Sequence, residues 1–248
     1  MPTNTISGLA DQTVNLLLFA AHERNAEGLV RIDDGRLVHL REIIGKGQGD
    51  HLRVGEIGGD MGEAEIVSMD ESHALLRPHL HTPPPAKLPL TLVLALPRPK
   101  MLRRILRTVA ELGVAELHLI NSYRVEKNYW QSPALQEDVI RDYLRQGLAQ
   151  SRDTHLPTVR CQRRFKPFVE DNLPLLAEGK QALLAHPGQY PPCPRGAQGA
   201  TLLVIGPEGG FIPYEVEKLQ TAGCEAVSLG PRILRVENAV SGLIGRLF

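Results

Sequence analysis

Thr201-Leu202-Leu203-Val204-Ile205 runs directly into Gly206-Pro207-Glu208-Gly209-Gly210, and further on residues 226–229 break at Gly230-Pro231-Arg232. Short apolar runs ended by glycine and proline read as buried strands with loops opening at their carboxyl ends. In α/β sheets, crevices at those ends are where ligands bind. Two such loops in one stretch point to a single small-molecule site built largely from backbone.

Strands alternate with helices from residue 86 onward. Residues 92–96, 115–120, 182–185, 202–205 and 226–229 read as strands. From Met101, the residues Leu102, Ile105, Leu106, Val109 and Leu112 fall on one helical face, with Gly113 placed to end the helix. A longer helix is expected over 134–150, and Pro213 opens another that ends before Gly223. Val236, Val240, Leu243, Ile244 and Leu247 form the stripe of a terminal helix. This alternation argues a mainly parallel α/β sheet.

Upstream the pattern differs. Residues 29–32, 37–40, 51–54, 63–67 and 73–76 are short candidate strands, with Asp34-Gly35 and Gly58-Gly59 as turns. That spacing fits a small β-barrel over the first ~80 residues. Thr82-Pro83-Pro84-Pro85 then interrupts as a stiff connector. The expected organisation is a domain over 1–82 and a second over 86–248.

Composition narrows the class. Of 248 residues, 42% are hydrophobic and 23% charged, enough apolar material for a soluble core. No apolar run approaches the ~20 residues that cross a bilayer, and no secretory signal is legible. Cys161, Cys193 and Cys224 are odd in number and lack a CxxC pair, so a disulfide framework or zinc site is not expected. A reducing cytoplasm is the expected compartment. The nine histidines are scattered without an HxxxH pair, which argues against a metal.

The formal net charge of zero conceals an asymmetry. Residues 98–170 carry 14 Lys or Arg against 8 Asp or Glu. A basic face for a polyanion has this composition, as do solvated helix faces. Charge therefore permits RNA without establishing it.

The motifs themselves resemble a family. IGPEGGF at 205–211, EVEKL at 215–219 and LGPRILRVENA at 229–239 resemble the bacterial 16S rRNA uridine-N3 methyltransferases of the SPOUT class. ELGV at 111–114, SYRVEK at 122–127, QSRDTHLP at 150–157, HLREI at 39–43 and GDHLRVG at 49–55 extend the likeness over most of the chain. The resemblance implies a parallel α/β sheet with a carboxyl-terminal trefoil knot, a PUA-like RNA-binding barrel ahead of it, and a homodimer. It implies S-adenosylmethionine (SAM) as methyl donor and the 16S rRNA of the small ribosomal subunit as substrate.

By position, the cofactor cradle would comprise Leu184, Ala185, His186, Ile205, Gly206, Pro207, Glu208, Gly209, Gly210, Leu229, Gly230, Ile233 and Leu234. The glycines let a bent ligand approach the backbone, and Leu229, Ile233 and Leu234 would cover apolar faces. Methyl transfer to uracil N3 needs alignment, exclusion of water and loss of a weakly acidic proton. Arg232 and Arg235 would stabilise the uracil anion, and Glu237 would accept the proton or orient an arginine. Glu208 would act there or cap Gly210 or the following helix.

RNA contacts are expected from Arg31, Arg41 and Arg53 in the barrel and from Arg103, Arg107, Arg124, Lys127 and Arg152 near the cleft. Tyr129 and Trp130 would stack on bases or pack in the core. Where the family usually reads R-x-E-T-A, this chain has Arg235-Val236-Glu237-Asn238-Ala239, and Asn238 is expected to cap the terminal helix. Alternative readings are a SPOUT enzyme acting on tRNA or another rRNA site, and a non-catalytic RNA-binding assembly factor. A phosphate-binding loop at 206–210 is disfavoured because the Lys-Ser/Thr of a P-loop is missing.

Overall fold

A computed structural model describes residues 16–43 and 45–248. The start of the expected first domain, including Asn15, lies outside the described residues. Two compact units are present, one reaching Pro84 and also taking in Arg152–Thr154, the other formed by Pro85–Ser151 and His155–Phe248. Together they make a mixed α/β fold.

The first unit is a barrel-like, nearly closed sheet of five strands: β1 (Leu17–Phe19), β2 (Val30–Ile32), β3 (His51–Glu56), β4 (Met61–Met69) and β5 (Ala74–Thr82). Their order is β1-β3-β4-β5-β2, antiparallel except for β1 beside β3. Alternation drives it. In β2, Val30 and Ile32 are buried while Arg31 is exposed, and Phe19, Ile66 and Leu76 meet them in the interior. Thr154 is fully buried against this unit; its carbonyl accepts the Gly58 N–H at 2.9 Å.

One expectation fails here. Residues 37–40 are not a strand but the continuation of a short helix, α1 (Gly35–Val38), into a wide helical turn, His39–Ile43. Asp34 is the helix cap, not a hairpin turn: its side chain accepts the Arg36 N–H at 2.9 Å. Leu37 and Leu40, three apart, are then both buried, a helical spacing that a two-residue period cannot produce.

The second unit holds six parallel strands: β6 (Leu88–Ala95), β7 (Val114–Ile120), β8 (Thr158–Gln162), β9 (Gln181–Ala185), β10 (Thr201–Ile205) and β11 (Glu225–Val227). Their order is β11-β9-β10-β6-β7-β8. β10 is buried along its whole length, as a strand covered on both faces must be. The edge strand β8 was not legible because its residues, TVRCQ, are mostly polar and none is fully buried.

Helices α2 (Pro99–Glu111), α3 (Glu137–Ser151), α4 (Phe165–Pro167), α5 (Leu173–Ala177), α6 (Pro213–Thr221) and α7 (Val236–Leu247) complete this unit. α2 buries Leu102, Ile105, Leu106 and Val109 of the expected stripe, Leu112 is half-buried at its C-cap, and Gly113 follows at φ +71°. α3 packs closely on α2 at Gly147, where a Cβ would lie 2.4 Å from the Arg107 carbonyl oxygen. Asn238 does not cap α7. The cap position is Arg235, without a side-chain bond, and Asn238 sits exposed in the first turn.

Candidate active site

The carboxyl ends of three adjacent strands share one level. Ile205 of β10 and Val227 of β11 are both in register with Ala185 of β9. All three line one cavity of about 360 Å³, within the usual size of a small-molecule site. Both glycine-proline loops form its walls: Gly206, Pro207, Glu208, Gly209 and Gly210 from the first, Leu229, Gly230, Arg232, Ile233 and Leu234 from the second. His186 joins them from the loop after β9.

Each wall is held from behind. Gly210 stands at φ +72°, and its N–H closes a turn onto the Pro207 carbonyl at 2.8 Å. Ser228 closes the second loop, its Oγ accepting the Gly230 N–H at 3.1 Å. The segment after β9 is tied to the same region: Cys193 N–H donates to Ser228 at 2.8 Å, and Ser228 N–H to Pro191 at 2.8 Å. The Arg246 guanidinium, near the end of α7, donates to the Cys193 carbonyl.

Charge surrounds a mostly apolar interior. Glu208 meets Arg98 at 3.3 Å, so it is engaged by an arginine from the loop after β6 rather than by a helix end. The N-cap of α6 is Ile212, and its N–H donates at 3.1 Å to Oε2 of Glu215 in the first turn of the helix. His186 donates its backbone N–H to Val227 at 3.0 Å and sets its ring edge-on to Tyr190, 5.9 Å between centroids. Burial, followed by the nearby Arg124 charge, pushes the His186 imidazole below its ordinary value, which favours the neutral ring.

Of the expected cradle, Leu184 alone stays off the cavity. It is fully buried within β9, between Val204 and Ala226. Arg232 lines the cavity; Arg235 and Glu237, at the start of α7, do not. Sequence reasoning missed Pro187, Phe211, Val227, Ser228, Val236, Ala239 and Leu243 on the lining. Val236, Ala239 and Leu243 follow the i, i+3, i+7 spacing of one helical face, a signal that was available.

The basic candidates are dispersed. Arg124 lines the cavity. Arg103 and Arg107 lie over the Tyr143 ring at 5.9 and 4.8 Å, and Arg107 also donates to Gln146 at 2.7 Å. Lys127 is exposed. In the first unit Arg31 pairs with Asp33 at 3.0 Å, Arg41 reaches the Glu71 carbonyl at 3.4 Å, and Arg53 is exposed on β3. Arg152 carries a left-handed φ of +57°. Trp130 is buried, with its indole N–H on Asn121 at 3.0 Å, whereas Tyr129 bonds Glu126 at 3.1 Å. Among the described residues no group of His, Cys, Asp or Glu is placed to hold a metal, and no helix is long and apolar enough to cross a membrane.

A parallel sheet with a backbone-lined cavity at its strand ends defines an α/β domain with a small-molecule site. The chain belongs to the RNA methyltransferase domain family, whose model its residues 84–247 match. It is 28% identical over 232 residues to the ribosomal RNA small subunit methyltransferase E of Treponema pallidum, covering 91% of this chain and 87% of that one. The protein of the same name from Synechocystis sp. is 27% identical over 245 residues, covering 90% and 73%. The crystal structure of a ribosomal RNA small subunit methyltransferase E from Neisseria gonorrhoeae, bound to SAM, shares the fold at a TM-score of 0.71 and 21% identity, covering 93% and 96%.

Proposed function

We propose that this chain is a SAM-dependent methyltransferase acting on N3 of a uridine in 16S rRNA of the small ribosomal subunit. The observation that carries this reading is the single cavity to which both glycine-proline loops contribute, at the carboxyl ends of β9, β10 and β11. The names of its relatives supply the substrate class, and the likeness of sequence motifs supplies the N3 position.

The residues present fit SAM. Left-handed glycines at 210 and 230 leave the backbone open to a ligand, while Leu229, Ile233, Leu234 and Leu243 offer apolar cover. Ile233 remains 82% exposed in the single chain, apolar surface that an adenine ring or a second subunit would cover. When bound, SAM supplies an electrophilic methyl group on its sulfonium.

The chain's own work is positional and electrostatic. The loops at 206–210 and 229–234 hold the donor and exclude water; Arg232, on the cavity wall, opposes negative charge on the uracil as N3 loses its proton. Arg235 and Glu237, a few residues on, are assigned to the same step, Glu237 as proton acceptor or as partner of an arginine. The first unit is assigned as a PUA-like RNA-binding barrel. Arg31, Arg41, Arg53, Arg103, Arg107, Lys127 and Arg152 are assigned to phosphate contacts. A carboxyl-terminal trefoil knot is assigned from the family resemblance; hydrogen bonds tie residues 191–197 to Ser228 and to the end of α7. A homodimer and a cytoplasmic location complete the reading.

The test is methyl transfer from labelled SAM to small subunits isolated from a strain lacking this gene, followed by nucleoside mass spectrometry. One N3-methyluridine in 16S rRNA is expected. A different methylated nucleoside, or methylation of tRNA alone, overturns the assignment of position or substrate. SAM binding without transfer to any RNA favours a non-catalytic role.

A further inference from the structure

Arg124 belongs, on sequence, with the basic residues that would meet RNA. Its surroundings give it other work. Its guanidinium Nη1 donates to the backbone carbonyl of Gly209, and the side chain lines the cavity. Its stem lies along the loop as well. A Cβ built on Gly209 would stand 2.9 Å from Arg124 Cδ, 3.7 Å from its Cβ and 3.8 Å from its Cγ. Gly209 does not have a left-handed φ, so conformation alone does not demand glycine there. A side chain at 209 would instead crowd Arg124 Cδ and shift the end of the arginine.

The same strand end is anchored one residue earlier. The Tyr123 N–H donates to Glu215 Oε1 at 2.7 Å, and the other oxygen of that buried carboxylate accepts the Ile212 N–H. Residues 123 and 124 therefore brace the stretch from Gly209 to Glu215 at two points, one through a backbone donor and one through a side chain. Arg98 adds a third attachment at Glu208.

We infer that Arg124 is a positioning residue for the methyl donor, holding the 206–210 loop in its binding shape through the Gly209 carbonyl, and that it is not an RNA contact. This rests on the reading of the cavity as the SAM site. Gly209 is the counterpart of the arginine: a Cβ there would crowd Arg124 Cδ and displace the end of the side chain.

Calorimetric titration of SAM into the full chain, without RNA, tests the inference directly. Arg124→Ala weakens SAM binding about tenfold, the scale of one charge-assisted hydrogen bond at a partly exposed site. Arg124→Lys, which retains a cationic donor, recovers part of the loss. Affinity for a 16S rRNA transcript stays within about twofold of wild type, with an unchanged salt slope. Methylation by Arg124→Ala shows a raised KM for SAM, and its rate recovers at saturating SAM.

Gly209→Ala supplies an independent arm. Alone it weakens SAM binding by displacing the arginine; in the Arg124→Ala background it costs less than it does alone, since the stem is gone. Additive losses in the double variant overturn the inference. So does an Arg124→Ala protein that binds SAM normally but loses RNA affinity and about one unit of salt slope. Failure of the wild-type chain to bind SAM is a separate result, which overturns the cavity assignment and this inference with it.

Discussion

The buried carboxylate of Glu215 accepts the backbone N–H of Tyr123 at 2.7 Å, across 92 positions of sequence. It joins the loop after β7 to the entrance of α6, immediately beyond the first glycine-proline loop. With only 3% of Glu215 exposed, its carboxylate is held by the N–H groups of Tyr123 and Ile212 rather than by water.

Glu215→Ala leaves two N–H groups, on Tyr123 and Ile212, without their acceptor. The expected cost is about 2–4 kcal/mol of folding stability, measured as the shift in urea midpoint at constant m. A loss under about 0.5 kcal/mol, the range of ordinary surface changes, rules out this bracing role.

Gly210→Val places a β-branched residue at φ +72°, where its side chain is strained regardless of space. SAM binding by calorimetry is expected to disappear while the chain remains folded by circular dichroism. Unchanged affinity removes Gly210 from the cofactor loop.

Arg232→Ala removes positive charge from the cavity wall. Single-turnover methylation is expected to slow by about a hundredfold, the scale seen for one electrostatic group, with SAM affinity largely kept. An unchanged rate at saturating SAM would leave Arg232 without a role in the chemical step.

His118, on β7, is 2% exposed, and its Nε2 lies 3.1 Å from Glu116 Oε1. Burial pushes its imidazole below the ordinary value near 6.5, with Glu116 acting in opposition. The unfolded chain therefore binds the extra proton first. The stability associated with neutral His118 is present above about pH 6.5 and is lost as pH falls through the folded value. Urea midpoints should fall between pH 7 and pH 5.5, and less steeply in His118→Phe. An imidazole that titrates at or above 6.5 by NMR contradicts the sign.

Cys224 is buried, and burial pushes its thiol up to about 12; Cys193 is also buried, while Cys161 is exposed. Iodoacetamide on the folded protein is expected to label Cys161 first, with the other two reacting only after denaturation. Mass spectrometry of tryptic peptides checks the order; early labelling of Cys224 would mean that α6 and β11 open readily.

Elements whose signals are local are legible from the residues alone. Apolar runs ended by Gly-Pro marked β10 and the loop after β11, and 3.6-residue stripes marked α2 and α7, because strand and helix periodicities are set within a few residues. Of the cradle residues that the family resemblance implies, all but Leu184 lie on the cavity wall, most of them in these two loops. Residues 37–40 are misread because two leucines three apart, beside a glycine, suit a strand or a turn of helix until Asp34 is seen to cap Arg36.

Which distant residues meet is set by how the folded elements pack. Strand order sets Ala185, Ile205 and Val227 side by side, and Glu215 and Gly209 receive Tyr123 and Arg124 from a loop 85 or more positions away. A sequence window records charge and polarity, so Arg124 reads as one more basic residue. Its partner is a backbone carbonyl, and every residue but its neighbours in space looks alike at that atom; only the folded chain selects Gly209.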